Sequence, residues 1–384
     1  MPSGPFADDV AFLKQHTSLV VLTAASGAQV AVSPAYQGRV MTSTTGGAHA
    51  PSFGWLGRAA IESKQYQPHM NVFGGEDRFW LGPEGGQYAL YFKPGDPFDL
   101  PHWQTPAPFD WDPWDIADQA VDRVRFRKRM SLVNYAKTAF DLDVDRTVRL
   151  LTAVDAAASL GGSVPDTVRF VGFESSNIVT NAGAQPWIAK SGLVSIWILG
   201  QFLPTPTTTV AIPFVTGPEA TLGPVVNDAY FGKVPADRLV TRDGAILFKA
   251  DGQYRAKIGL PPARTTGVAG SYDADRHVLT IVQFTRPEGR RDYVNSMWEI
   301  QREPYKGDAL NSYNDGPPAP GQKPLGPFYE LESSSPALAL EPGQTYTHVH
   351  RTFHLTGSAA DLDRIARDVL KVGLQDIGGA FTPK

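Results

Sequence analysis

The chain has 384 residues, 42% hydrophobic and 19% charged, with a net charge of −4 and no cysteine. That length supports one large core or two medium ones, and the absence of a basic block sets nucleic acid aside as a partner. Disulfides and thiolate metal sites are excluded, and no apolar run reaches the roughly 18 residues of a membrane span, so no membrane span is expected.

In chain order, residues 6–16 read as a short helix, with Phe6, Val10 and Leu13 on one face and Asp8 and Asp9 at its positive end. The preceding residues carry neither a basic nor a long apolar segment. The protein is therefore either cytoplasmic or periplasmic or secreted with its signal peptide removed.

From residue 18 to about 356 the pattern is short strands, among them 19–23, 28–33, 124–135, 168–173, 194–202, 208–214, 245–250, 278–285 and 346–355. Asp243-Gly244 and Asp251-Gly252 mark turns. In the second hundred residues Val124 and Phe126 point one way while Arg123, Arg125 and Arg127 point the other. The segments 94–118 and 303–327 read as long Pro-, Gly- and Asp-rich loops, and loops of that length commonly carry function. A C-terminal helix follows, with Ser358 as N-cap, a stripe of Leu362, Ile365, Ala366, Val369 and Leu370, and Gly373 closing it. No βαβ rhythm is visible, so the expected fold is mainly β. It is a large antiparallel β-sandwich in a single domain, 1–384, with a β core over 17–356, a short N-terminal helix and one C-terminal helix over 357–376.

Four constellations carry chemistry. The first is the segment 54–80, from Gly54-Trp55-Leu56-Gly57-Arg58 to Asn71-Val72-Phe73-Gly74-Gly75-Glu76-Asp77-Arg78-Phe79-Trp80, the latter run just after His69. Its glycines permit close backbone approach, and its Arg and acidic residues suit either an ion-pair network or bidentate contacts to hydroxyls. The second, Trp103 to Asp115, alternates aromatic rings with aspartate and proline, which suits stacking on a pyranose ring, with Trp103 as the expected sugar contact. Its alternative is a small satellite core. The third centres on Glu299, expected on a strand between apolar neighbours, where partial desolvation suits a general base. The fourth pairs Glu330 and Glu332 on one strand face with His348 and His350 on another, near His354. Paired His with a carboxylate can hold a divalent metal or serve proton transfer, or can simply face outward from a sheet. No further cofactor is expected. No nucleophile elbow, phosphate loop or dinucleotide site is present.

Several of these segments, in order along most of the chain, resemble the galactose mutarotase-like (aldose 1-epimerase) superfamily. Gly38-Arg39-Val40 looks like its early strand, and Asn71 to Trp80 looks like its Asn-to-Trp sugar region. Glu299, Gln301, Pro304 and Asn311 look like its catalytic-glutamate motif, and Leu340-Glu341-Pro342-Gly343 looks like its closing signature. More closely, the chain resembles an uncharacterised bacterial branch of that superfamily, through Trp103–Phe109, Lys257-Ile258-Gly259, Asn311–Pro317 and Gly326–Glu332. The resemblance implies a β-supersandwich fold and a carbohydrate ligand. It implies Glu299 as base, with Arg58, Asn71, Glu76, Asp77, Arg78, Trp80, Trp103, Lys257 and Glu330 shaping the pocket. Phe73 stands where the family has a histidine, and Ser195 to Phe202 contains no counterpart of its second one. The acid would then come from His69, His348 or His350, and plain aldose epimerisation is not expected. Epimerase, lyase and hydrolase stay open. The alternatives are a non-catalytic carbohydrate-binding protein and a metal-dependent enzyme using the paired histidines.

Overall fold

The computed structural model describes residues 5–46, 51–242 and 244–381; Asp243 of the expected Asp243-Gly244 turn lies outside them. Eighteen strands occur among the described residues. They are β1 Val20–Thr23, β2 Gln29–Ser33, β3 Arg39–Thr44, β4 Arg78–Gly82, β5 Asp115–Gln119, β6 Arg123–Val133, β7 Ala139–Leu150, β8 Arg169–Asn181 and β9 Ser195–Phe202. There follow β10 Thr209–Pro213, β11 Leu239–Arg242, β12 Ala245–Lys249, β13 Ala256–Leu260, β14 Val268–Asp273, β15 Val278–Phe284, β16 Leu310–Asn314, β17 Tyr329–Ser334 and β18 Thr345–Thr356.

They form a three-stranded sheet, a ten-stranded sheet in the order β11-β12-β10-β14-β15-β18-β8-β7-β6-β5, and a five-stranded sheet in the order β13-β16-β17-β9-β4. The strand pairs of the two large sheets are antiparallel, as in β8 against β18 and β9 against β17. The expected mainly-β antiparallel sandwich is what forms.

Alternation explains the layers. In β6, Val124 and Phe126 are fully buried while Arg123 and Arg127 are exposed. Outward Arg125 meets Asp145 of β7, and Arg129 meets Asp143 at 3.1 Å, so the open face of this sheet is a ladder of ion pairs. β5, at the edge, is exposed along its whole length and slips register between Ile116 and Asp118. Between the two large sheets lies an apolar core to which β10 sends Val210 and Ile212 and β17 sends Tyr329 and Leu331. Ala211, Leu279 and Ile281 face the other way and are covered by the C-terminal helix Ala359–Leu370 through Leu362, Ile365, Ala366 and Leu370.

The N-terminal helix spans Phe6–His16 as expected. Ser358 caps the C-terminal helix by accepting from the Asp361 amide. That helix ends six residues earlier than expected. Lys371 takes the left-handed position at φ 61°, and Gly373 instead caps a second short helix, Leu374–Gly378. Three further short helices, including Ala153–Leu160, were not expected. The segment 303–327 is also not all loop, since β16 lies inside it.

Candidate functional site

The outward face of the five-stranded sheet is the floor of a cleft. Because successive side chains alternate, one row of aligned residues crosses the strands as Lys257, Tyr313, Glu330 and Gln201. The next row runs Asn311, Glu332, Leu199 and Arg78, and Trp197 pairs with Trp80 beyond it. The opposite faces of the same strands hold Leu331, Ile198 and Phe79 in the core. Walls come from Met70 to Val72, from Glu84, from Leu100, Trp103 and Thr105 in the long loop, and from Phe231, Arg255 and Trp298. A second lobe, sharing Glu84, Lys257, Arg255 and Trp298, adjoins the first. The volumes are about 110 Å³ over the floor and about 240 Å³ beside it.

Trp80 and Trp103 are only 8% and 4% exposed, so they build wall and offer little free ring surface. Phe231, at 39%, and half-buried Trp298 offer more.

Buried charges on this floor are tied in pairs. Arg78 Nη2 donates to Glu330 Oε1 at 2.6 Å, and Gln201 Nε2 donates to the same oxygen at 2.8 Å. Lys257 Nζ and Trp197 Nε1 both donate to Glu332 Oε2, at 3.0 and 2.9 Å. Trp103 Nε1 donates to Glu84 Oε1 at 3.1 Å. Burial drives the Glu330 carboxyl up to about 7 against the opposing pull of Arg78, and Glu332 adds to the rise. Burial raises Glu84 in the same way. Burial would lower the Lys257 ammonium, but Glu332, Glu84 and Glu330 around it hold it above the ordinary lysine range. Four buried polar atoms at this floor have no protein partner: Arg78 Nε, Trp80 Nε1, Gln201 Oε1 and Glu332 Oε1. Two of them donate and two accept.

The model of a family of unknown function, DUF6786, matches residues 4–381. The chain belongs to the DUF6786 family. No curated protein matches it in sequence. Among solved structures, a protein named as a candidate aldose 1-epimerase from Escherichia coli K12 is 12% identical with a TM-score of 0.52, covering 89% of this chain and 100% of that one. The Slr1438 protein from Synechocystis sp. PCC 6803 is 14% identical with a TM-score of 0.50, covering 89% and 96%. A galactose mutarotase-like protein from Lactobacillus casei ATCC 334 is 11% identical with a TM-score of 0.48, covering 88% and 100%. At such identities the likeness is one of fold, and the first two carry it: this DUF6786 chain shares the sandwich fold of the candidate aldose 1-epimerase and of Slr1438.

Of the residues singled out in sequence, the DUF6786 cleft brings together Asn71, Arg78, Trp80, Trp103, Lys257 and Glu330. The others lie elsewhere. Glu299 is not on a strand. Residues 291–307 are irregular, tied by a single bridge between Tyr293 and Lys306, so no alternation turns Glu299 inward, and it sits exposed in a bend while its neighbour Trp298 takes the wall position. Arg58 pairs with Asp9 and lies over Phe12, on the N-terminal helix. His69 Nδ1 meets the Trp103 carbonyl at 2.6 Å, behind the wall.

Glu76, Asp77, His348 and His350 lie between the two large sheets. Glu76 meets His354 Nε2 at 3.0 Å and Ser43 Oγ at 2.8 Å. Asp77 accepts from Arg146 at 2.6 Å and from Ser175 at 2.8 Å. His348 and His350 converge on the Ser333 hydroxyl, each at 2.9 Å. Among the described residues no group of three or more His, Asp or Glu that could hold a metal ion occurs. The two glycines serve packing too. A Cβ on Gly74 would stand 2.1 Å from the Trp55 carbonyl, and one on Gly75 would stand 2.6 Å from the Arg39 side chain. Phe73 is stacked on Tyr36 at 4.3 Å, far from any proton-transfer role.

Sequence reasoning missed Glu84, Trp197, Gln201 and Arg255 in the cleft, and did not place Glu332 in its buried floor, tied to Lys257 and Trp197. For Glu332 the signal was present, since it shares a strand face with Glu330. Trp197 and Gln201 sit in Ser195–Phe202, a strand buried on both faces and therefore without visible alternation.

Proposed function

We propose that this protein is a carbohydrate-active enzyme that takes a sugar ring or short glycan into the cleft over the five-stranded sheet. Glu330 is the proton donor and Glu332 the acceptor. The observation that carries the reading is the set of four unpartnered buried polar atoms among aromatic walls. A sugar hydroxyl both donates and accepts, and a ring's C–H faces suit tryptophan and phenylalanine. Glu330, near 7, carries a proton for part of the time at neutral pH, as a general acid must. Lys257 holds Glu332 in place and keeps positive charge beside the reacting atoms. The fold likeness supports a carbohydrate-related role in general and no particular reaction.

One observation favours the alternative of a non-catalytic binding protein: no histidine lines the cleft among the described residues, and both floor carboxylates are tied to cations. Tryptophan fluorescence titrations against a panel of monosaccharides, uronates and oligosaccharides separate the readings, followed by polarimetry and reducing-end assays on every ligand that binds. Turnover that is lost in Glu330→Gln and Glu332→Gln, with binding kept, supports the enzyme. Binding without turnover in the unmodified protein leaves the binding reading. Binding of no sugar overturns both.

A further inference from the structure

Arg78 and Lys257 already face carboxylates at 2.6 and 3.0 Å. Arg255 does not. It continues the alternation of β13 two residues before Lys257, so both project to the same side, and it lines both lobes of the cleft. Its guanidinium lies 3.8 Å above the Phe231 ring, which holds the plane of the group. Among the described residues it forms no ion pair. Asp315 is near enough to feel its charge, but that carboxylate is occupied by the Tyr313 hydroxyl at 2.7 Å and the Gly326 amide at 2.8 Å.

We infer that the natural ligand is an acidic sugar, whose anionic substituent is bound by Arg255 where the two lobes meet. This deepens the carbohydrate reading and rests on it. The Arg255 guanidinium also hydrogen-bonds the Tyr313 side chain, which leaves it further edge donors, and two such donors match two oxygens of a carboxylate or phosphate in one plane. A neutral hydroxyl uses less of that fork. The partner chemistry is thus an oxyanion on a ring, either a uronate carboxylate or a sugar phosphate. The cation count agrees: three cations line the cleft, and only two have carboxylate partners there.

Isothermal titration of the full chain with glucuronate and galacturonate, with glucose and galactose, and with glucose 6-phosphate tests it. At least one acidic sugar binds about tenfold or more tightly than its neutral parent, as one charge-assisted contact requires. In Arg255→Gln that ligand falls to the level of the parent. Arg255→Lys, which keeps charge but not the fork, retains part of the preference, and circular dichroism verifies that both variants are folded. A uronate preference identifies the carboxylate, and a phosphate preference identifies the phosphorylated sugar. Equal affinity for acidic and neutral sugars overturns the inference while leaving the carbohydrate reading intact, as does a preference undiminished in Arg255→Gln. No binding of any sugar overturns both.

Discussion

Removing the Arg146 guanidinium is the sharpest test of what holds the two large sheets together. Arg146 and Asp77 are both 0% exposed and stand 2.6 Å apart. The guanidinium also donates to the Asp77 carbonyl at 3.2 Å, to the Gly38 carbonyl at 3.1 Å and to Asn177. In Arg146→Met, Asp77 keeps only the Ser175 hydroxyl among its side-chain partners. Stranding one member of a buried pair costs about 3–5 kcal/mol. With an unfolding entropy of about 2 cal/mol/K per residue, a chain of this length loses roughly 4–6 °C in Tm. Replacing both partners, Arg146→Met with Asp77→Leu, removes the stranded charge, so the double variant is more stable than the single losses sum to, by about 2 kcal/mol. Arg123→Met is the control. Its ion pair with Asp118 is half-exposed, and such pairs contribute about 0–1 kcal/mol. Calorimetry and guanidinium chloride unfolding of the five proteins, the parent, Arg146→Met, Asp77→Leu, the double variant and Arg123→Met, read these differences. Strict additivity of the two core substitutions, or an Arg146→Met Tm within about 1 °C of the parent, would refute the argument.

Three further outcomes follow from the same geometry. The fluorescence of Trp80 and Trp197, which flank the carboxyl cluster, shows a pH transition near 7 that disappears in Glu330→Gln; a transition unchanged by that substitution assigns it to another group. His348 and His350 are pushed down by burial, to about 3 and about 4, against an ordinary value of 6.5. The unfolded chain therefore binds more protons below pH 6.5, so stability is full above that pH and falls as acid is added. His348→Gln reduces the slope of unfolding free energy between pH 6 and 4 by about 1.4 kcal/mol per pH unit, and an unchanged slope contradicts a neutral buried ring. Gly75→Ala is strongly destabilising, because φ is +111° and the new Cβ meets the Arg39 side chain at 2.6 Å; a melting temperature equal to the parent's would count against that clash.

How much of this was legible in the sequence depends on periodicity. Where one face of a strand is wet, as in Arg123–Val133, alternation gave its direction, and Ser358 gave the start of the C-terminal helix. The same rule put Glu330 and Glu332 side by side. It failed where both faces are covered: Trp197 and Gln201 share a strand with six other buried residues, and nothing in the string separates cleft from core. It failed again at residues 70–80, which read as one recognition loop. The fold splits that loop by position, sending Asn71, Arg78 and Trp80 to the cleft and Phe73, Glu76 and Asp77 to the interior. Adjacent residues of opposite charge, Asp77 and Arg78, end on opposite sides of one sheet because β4 begins between them. Glu299 failed for the converse reason. Apolar neighbours suggested a strand, yet its segment bonds mainly through isolated bridges and side chains, such as Gln301 to the Asn295 and Met297 carbonyls.

The edge of the ten-stranded sheet has a consequence for how these molecules meet one another in solution. A long, flat border with free amides and carbonyls invites a strand from a second molecule. β5 denies that template: its register slip bends the ladder, Asp115 and Asp118 put negative charge along it, and the exposed Ile116 stands alone between them. On the smaller sheet Asn227 closes part of the border of β13 by exchanging two 2.8 Å backbone bonds with Gly259. β5 and part of β13 are thereby poor templates for edge-to-edge pairing with a second molecule.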